Sequence, residues 1–167
     1  MKFSAILLLA VFISINAFSQ PDIKGYKVGT KLDYNYKTIS LVGYEYRLSS
    51  YDISYKGKDY TYWLEAGAYE KNKEGYYDCR NSTETEINNL ISAVETKYQI
   101  KLKYELECQG GCRTWTALKD GYFYEIKFPT SSINGSFVIF NYELQQKIYD
   151  AQKRDKANKN KSLQNDI

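Results

Sequence analysis

Alternation with a period of two dominates the middle of the chain. Tyr51, Ile53 and Tyr55 alternate with Asp52, Ser54 and Lys56, and after Gly57-Lys58 the run resumes as Tyr60, Tyr62 and Leu64. This pattern predicts two half-buried strands. A two-residue turn at Gly57-Lys58 would pair Tyr55 with Tyr60, Ile53 with Tyr62 and Tyr51 with Leu64, with all six on one face. Upstream, Ile39 and Leu41 lie on one parity and Tyr44, Tyr46 and Leu48 on the other, so Gly43 at the switch predicts a bulge or bend. Ile23 to Thr30 reads as a short opening segment with glycine turns, and Lys71 to Asn81 as a polar connection.

The period then changes. Thr83 followed by Glu86 has the form of a capping box, and Ile87, Leu90, Ile91, Val94 and Tyr98 recur at helical spacing. Ile100, Leu102, Tyr104 and Leu106 alternate with charged residues and predict a returning strand with one wet face. Asp120-Gly121 is a hairpin signal that sets Ala117 opposite Tyr124 and Trp115 opposite Ile126. Phe137 to Phe140, with few polar breaks, reads as a central strand. Asn141 can cap a last helix in which Leu144, Ile148 and Ala151 share a face. The expected fold is α+β: an antiparallel, tyrosine-rich sheet with two helices packed on one face.

The chain's start sets its expected location. Lys2, an apolar run from Ile6 to Phe18 and Ala17-Phe18-Ser19 have the form of an export signal (residues 1–19) cleaved before Gln20, which places the product in the periplasm or outside the cell. The apolar run is shorter than the ~20 residues that span a bilayer, and no second stretch approaches that length, so no transmembrane segment is expected after cleavage. Residues 20–152 then form one domain and 153–167 a basic, partly disordered tail. The net charge of +3 is misleading. Residues 20–152 carry 17 basic and 18 acidic side chains, so the body has no surplus that would attract nucleic acid. Most of the 18 tyrosines fall at strand positions, where the ring covers apolar neighbours and the hydroxyl stays wet; an aromatic binding face for sugar or peptide is the sharper alternative.

Several of these features occur together elsewhere. Ile23-Lys24-Gly25, the helix from Leu90 to Lys97-Tyr98, Trp115 on a hairpin, a closing strand ending in Tyr142 and a charged helical tail follow one another along the chain. In this layout the chain resembles small secreted bacterial α+β domains of the β-lactamase-inhibitor and outer-membrane-assembly-accessory type. The resemblance implies helices on one face of an antiparallel sheet and a binding or accessory role, with no catalytic residues to carry over.

Candidate chemistry is sparse. The chain has no histidine, which excludes Ser-His-Asp and Cys-His catalysis and histidine-based metal or haem sites. No phosphate loop or dinucleotide fingerprint occurs, so neither a cofactor nor a metal is expected. Three cysteines in an exported chain predict one disulfide and one odd thiol. A helix of roughly 22 Å followed by a returning strand brings the residues after the strand back to the start of the helix. Cys79 is therefore expected to pair with Cys108, with Cys112 as the rival partner; a local Cys108–Cys112 bridge is the other arrangement. Closing the loop from Cys79 would contribute roughly 3–4 kcal/mol on a chain-entropy account. Asp52, Asp59, Glu65, Glu70 and Asp78 are candidates for paired-carboxylate hydrolysis, set against their plainer role as solubilising charges. The leading expectation is a non-enzymatic interaction module that binds a protein, peptide or glycan in the cell envelope. A small secreted hydrolase and a structural accessory protein are the alternatives.

Overall fold

The computed structural model describes residues 20–32, 37–105, 112–129 and 135–165. In chain order, β1 (Asp22–Ile23) and β2 (Tyr26–Lys27) form a small hairpin. β3 (Lys37–Leu41), β4 (Tyr44–Tyr55) and β5 (Lys58–Gly67) follow, and then the short hairpin of β6 (Tyr69–Lys71) and β7 (Tyr77–Cys79). After α1 (Glu84–Tyr98) come β8 (Lys103–Glu105), β9 (Cys112–Lys119), β10 (Tyr122–Pro129), β11 (Ser136–Asn141) and α2 (Tyr142–Asn165). Seven strands make one antiparallel sheet in the order β3-β4-β5-β11-β10-β9-β8, with β11 at its centre.

Tight turns set the registers. The β9–β10 hairpin is as expected: Asp120 and Gly121 both take positive φ, and Ala117 faces Tyr124 while Trp115 faces Ile126. The β4–β5 hairpin is not. Its turn is Lys56-Gly57, with φ of 50° and 73°, and Tyr55 pairs with Lys58 rather than Tyr60. A type I′ turn needs positive φ at both central residues, and placing glycine second satisfies the more demanding position. A bulge then shifts the register between Tyr51 and Asp52, leaving Tyr62 as the extra residue, so that Tyr51 faces Trp63 instead of Leu64. Gly43 is neither bulge nor bend: Val42-Gly43 is the two-residue turn between β3 and β4, with Leu41 opposite Tyr44. The expected polar connection contains the β6–β7 hairpin. The strand expected from Ile100 is reduced to β8. Its start is diverted because the Glu95 carboxylate accepts the Leu102 N–H, and Leu106 lies outside the described residues.

One side of the sheet holds the core. Tyr46, Leu48, Leu64, Ala66, Tyr124, Ile126, Phe128, Phe137 and Ile139 are buried together with Ile87, Leu90 and Val94 of α1. Thr83 caps α1 by accepting the Glu86 N–H at 3.1 Å. Glu86 does not return the bond in a capping box. Its carboxylate, fully buried, takes both guanidinium nitrogens of Arg80 at 2.7 Å and the Tyr46 hydroxyl at 2.6 Å. This triad ties the residue after β7 to α1 and to β4.

Asn141 caps α2 as expected, accepting the Leu144 N–H at 2.9 Å, and the helix runs on through the basic tail to Asn165. The two helices do not share a face. Alternation from Tyr51 carries Ile53 and Tyr55 to the side away from α1, and α2 crosses the β4–β5 ribbon there. Tyr55 donates to Asp155 at 2.9 Å and Gln152 to the Ser54 carbonyl at 3.1 Å. The ribbon outruns β11, so the far end of β5 has no partner strand on that edge, and α2 leaves β11 beside it. Among the described residues no helix is long and apolar enough to cross a membrane.

Candidate functional site

The sheet face away from α1 is organised in rows, because antiparallel register aligns every second residue across neighbouring strands. One row is aromatic: Tyr51 on β4, Trp63 on β5, Phe140 on β11 and Phe123 on β10, ending on Leu118 of β9. The rings are in contact. Trp63 and Phe140 stack with centroids 5.0 Å apart, Phe123 lies 4.9 Å from Phe140, and Tyr51 meets Trp63 edge-on at 6.0 Å. Tyr51 is 50% exposed and Leu118 61%, so both ends of the row face solvent. The Trp63 indole N–H is buried with no hydrogen-bond acceptor among the described residues.

The next row, two residues along each strand, is acidic at its centre. It runs Ser49, Glu65, Val138, Glu125, Thr116 and Lys103. Glu65 and Glu125 flank Val138, two strand spacings or about 9.6 Å apart at the backbone. Burial pushes the Glu125 carboxyl above its ordinary value; Lys127 pulls it back, while Glu65 and Glu105 reinforce the rise. Burial, and the Glu65 carboxylate with it, pushes the Tyr51 hydroxyl up. A third row brings Arg47 and Lys127 to the same face, separated by Gly67 and Ser136. The Tyr69 ring folds over Gly67, where an added Cβ would lie 2.6 Å from a ring carbon, and the Arg47 guanidinium sits 5.7 Å from that ring. Aromatic, acidic and basic strips therefore lie in parallel, about 7 Å apart.

The expected carboxylates divide into three groups. Asp52 and Asp59 do come together, around Lys31 at 3.1 and 3.7 Å. The Thr61 hydroxyl, followed by Lys31, holds the Asp52 carboxyl below its ordinary value against the opposing effect of burial. A charge-neutralised, lowered carboxylate is no proton donor. Glu70 and Asp78 face each other across the β6–β7 hairpin and are exposed, and Asp78 accepts a bond from Asn72. Only Glu65 reaches the aromatic face. Its partner there, Glu125, was missed because its strand alternates around Tyr124 and Ile126, which gives position 125 the look of a solvent charge. Nothing short of the β10–β11–β5 register links it to Glu65.

Of the three cysteines, only Cys112 has a described side chain. It is buried at the start of β9, disulfide-bonded, with its sulfur 3.9 Å from the Thr114 hydroxyl. The Cys79 side chain and the whole of Cys108 lie outside the described residues, and so does the expected bond between them. Among the described residues no group of three carboxylates or thiols converges as a metal site would require. Compared with known protein families, characterised proteins and solved structures, the chain finds no match in any of the three.

Proposed function

We propose that the protein is an exported binding module, secreted or periplasmic after loss of residues 1–19, that holds a protein, peptide or glycan across the strand face away from α1. One observation carries this reading: the Tyr51–Trp63–Phe140–Phe123 row lies directly beside Glu65 and Glu125. Contiguous rings offer flat apolar area to sugar or side-chain faces. The neighbouring carboxylates accept bonds from hydroxyls or pair with cationic side chains. The absence of histidine and the resemblance to accessory domains support binding over catalysis. Probing arrays of glycans and peptides with the folded protein, then titrating the hits into Tyr51→Ala and Glu65→Gln, tests it. Both residues are accessible enough to change without unfolding the sheet. Loss of at least tenfold in affinity in each is expected, and unchanged affinity in both would refute the proposal.

A second reading has its own observation. Burial raises the Glu125 carboxyl, as the general acid of a hydrolase requires, and Glu65 lies across Val138 from it as a second carboxyl. Turnover of a bound glycan that disappears in Glu125→Gln while binding persists would select this reading.

The disulfide belongs with export. Arg113 pairs with Glu84 at 2.5 Å, which brings the start of β9 to the start of α1. Cys112 adjoins the first of these residues and Cys79 precedes the second by five residues, so we assign Cys79 as the partner of Cys112 and leave Cys108 as the odd thiol.

A further inference from the structure

On the α1 side of the sheet, an apolar cavity of about 300 Å³ opens between the helix, the β1–β2 hairpin and the tip of the β3–β4 hairpin. Ile23, Leu90, Val94 and Phe137, all buried, form its floor, and Leu41 and Val42 form a side wall. The charged residues that line it are both cationic. Lys24 and Lys97 are exposed and therefore stand at the mouth. Lys97 is steadied by Asp22, through the carbonyl at 2.8 Å and the carboxylate at 3.0 Å. One aspartate against two lysines leaves a positive surplus over an apolar floor.

Val42 adds an independent sign. It occupies the first central position of the β3–β4 turn at φ 47°, a conformation that suits asparagine or glycine and strains a β-branched residue. Strain of this kind is retained where the surroundings or a function require the side chain. Here Val42 lines the cavity and also a more open depression that continues past Ala93 along Asn89, Ser92 and Thr96 of α1. The volume is informative too. An apolar cavity of roughly 150 Å³ accepts a benzene ring, and ligand pockets begin near about 300 Å³. A single flexible chain fits a space of this size.

We propose that this cavity binds a free fatty acid, with its alkyl chain on the Leu90–Val94–Phe137 floor and its carboxylate between Lys24 and Lys97. The site is separate from the Trp63 row and stands whether or not that row binds a ligand. The test titrates dodecanoate, below its micelle threshold, into the folded protein and follows backbone amide shifts by NMR. Saturable binding centred on residues 23–24, 41–42 and 90–98 is expected, with dodecanol weaker and dodecylammonium weakest. Lys24→Gly, which removes a charge at a positive-φ position, should lower affinity about two- to fivefold, the size of one exposed charge contact. Val42→Asn should raise the melting temperature and lower affinity about tenfold, because it suits the turn but removes the apolar wall. Three results would each overturn the proposal: equal binding of the three head groups, undiminished binding by Val42→Asn, or association only with anionic phospholipid vesicles and never with monomeric dodecanoate.

Discussion

Two glutamates removed from water show how differently the two sides of the sheet are built. Glu86, on the core side, is fully buried, yet both of its oxygens are answered: Arg80 grips them with two nitrogens and Tyr46 donates from β4. Burial alone would push its carboxyl up; the Arg80 and Tyr46 hydrogen bonds more than reverse this and hold it below the ordinary value. Glu125, on the other side, is only half-buried, but among the described residues it has no such grip, and burial keeps its carboxyl raised. A buried charge with complete partners is a fastening. A partly dried charge without them stores an unfavourable contact that a ligand can relieve.

The largest effect that would break this contrast is removal of the Arg80 grip. Arg80→Ala leaves Glu86 buried and unpaired, and should cost about 3–5 kcal/mol, read as a fall in the urea midpoint at unchanged slope. A loss under about 1 kcal/mol would show that the triad does not fasten α1 to β4. Nearly as large, breaking the disulfide through Cys112→Ser should remove about 2–5 kcal/mol. A non-reducing peptide map should join residues 79 and 112; a peptide linking 108 to 112, with Cys79 open to alkylation, would discard the assignment made above.

The pH dependence separates the two glutamates by sign. Because the folded Glu86 carboxyl is lowered, its contribution is present above the unfolded value, near about 4.3, and is lost as pH falls through the folded value. Glu125 is raised, so its contribution is fully present below the unfolded value and is lost as pH rises through the folded one. Glu125→Gln should therefore stabilise the protein at neutral pH, by within about 1 kcal/mol, and the gain should vanish on acidification. The wild type should meanwhile become less stable in acid as Glu86 protonates. Thermal melts of both proteins from pH 3 to pH 7 would expose a stabilisation that failed to shrink in acid. Smallest of all, Glu125→Gln should also weaken any cationic ligand of the Trp63 face without moving the amide shifts around Arg80.

Much of the architecture was legible. The α1 face, the Thr83 and Asn141 caps, the Asp120-Gly121 hairpin and the central place of β11 all rest on signals local to a few residues. The β4–β5 ribbon shows where local reading stops. Both Lys56-Gly57 and Gly57-Lys58 satisfy the alternation, and the bulge at Tyr51 leaves no mark in composition, yet together they decide that Tyr51 joins Trp63. The candidate site depends on that join and on the pairing of β5 with β11, strands some 70 residues apart, which places Glu65 in one row with Glu125.

By itself, then, the sequence determined most of the element types, the helix caps and the exclusion of histidine chemistry, since each follows from short-range backbone preference or from composition. Only the tertiary structure decided which aromatic rings form one row, which carboxylate is gripped and which is left half-dry, and that the two helices lie on opposite sides. Those outcomes turn on register and on which far-off group fills a space, and a shift of one residue in a strand exchanges its two faces.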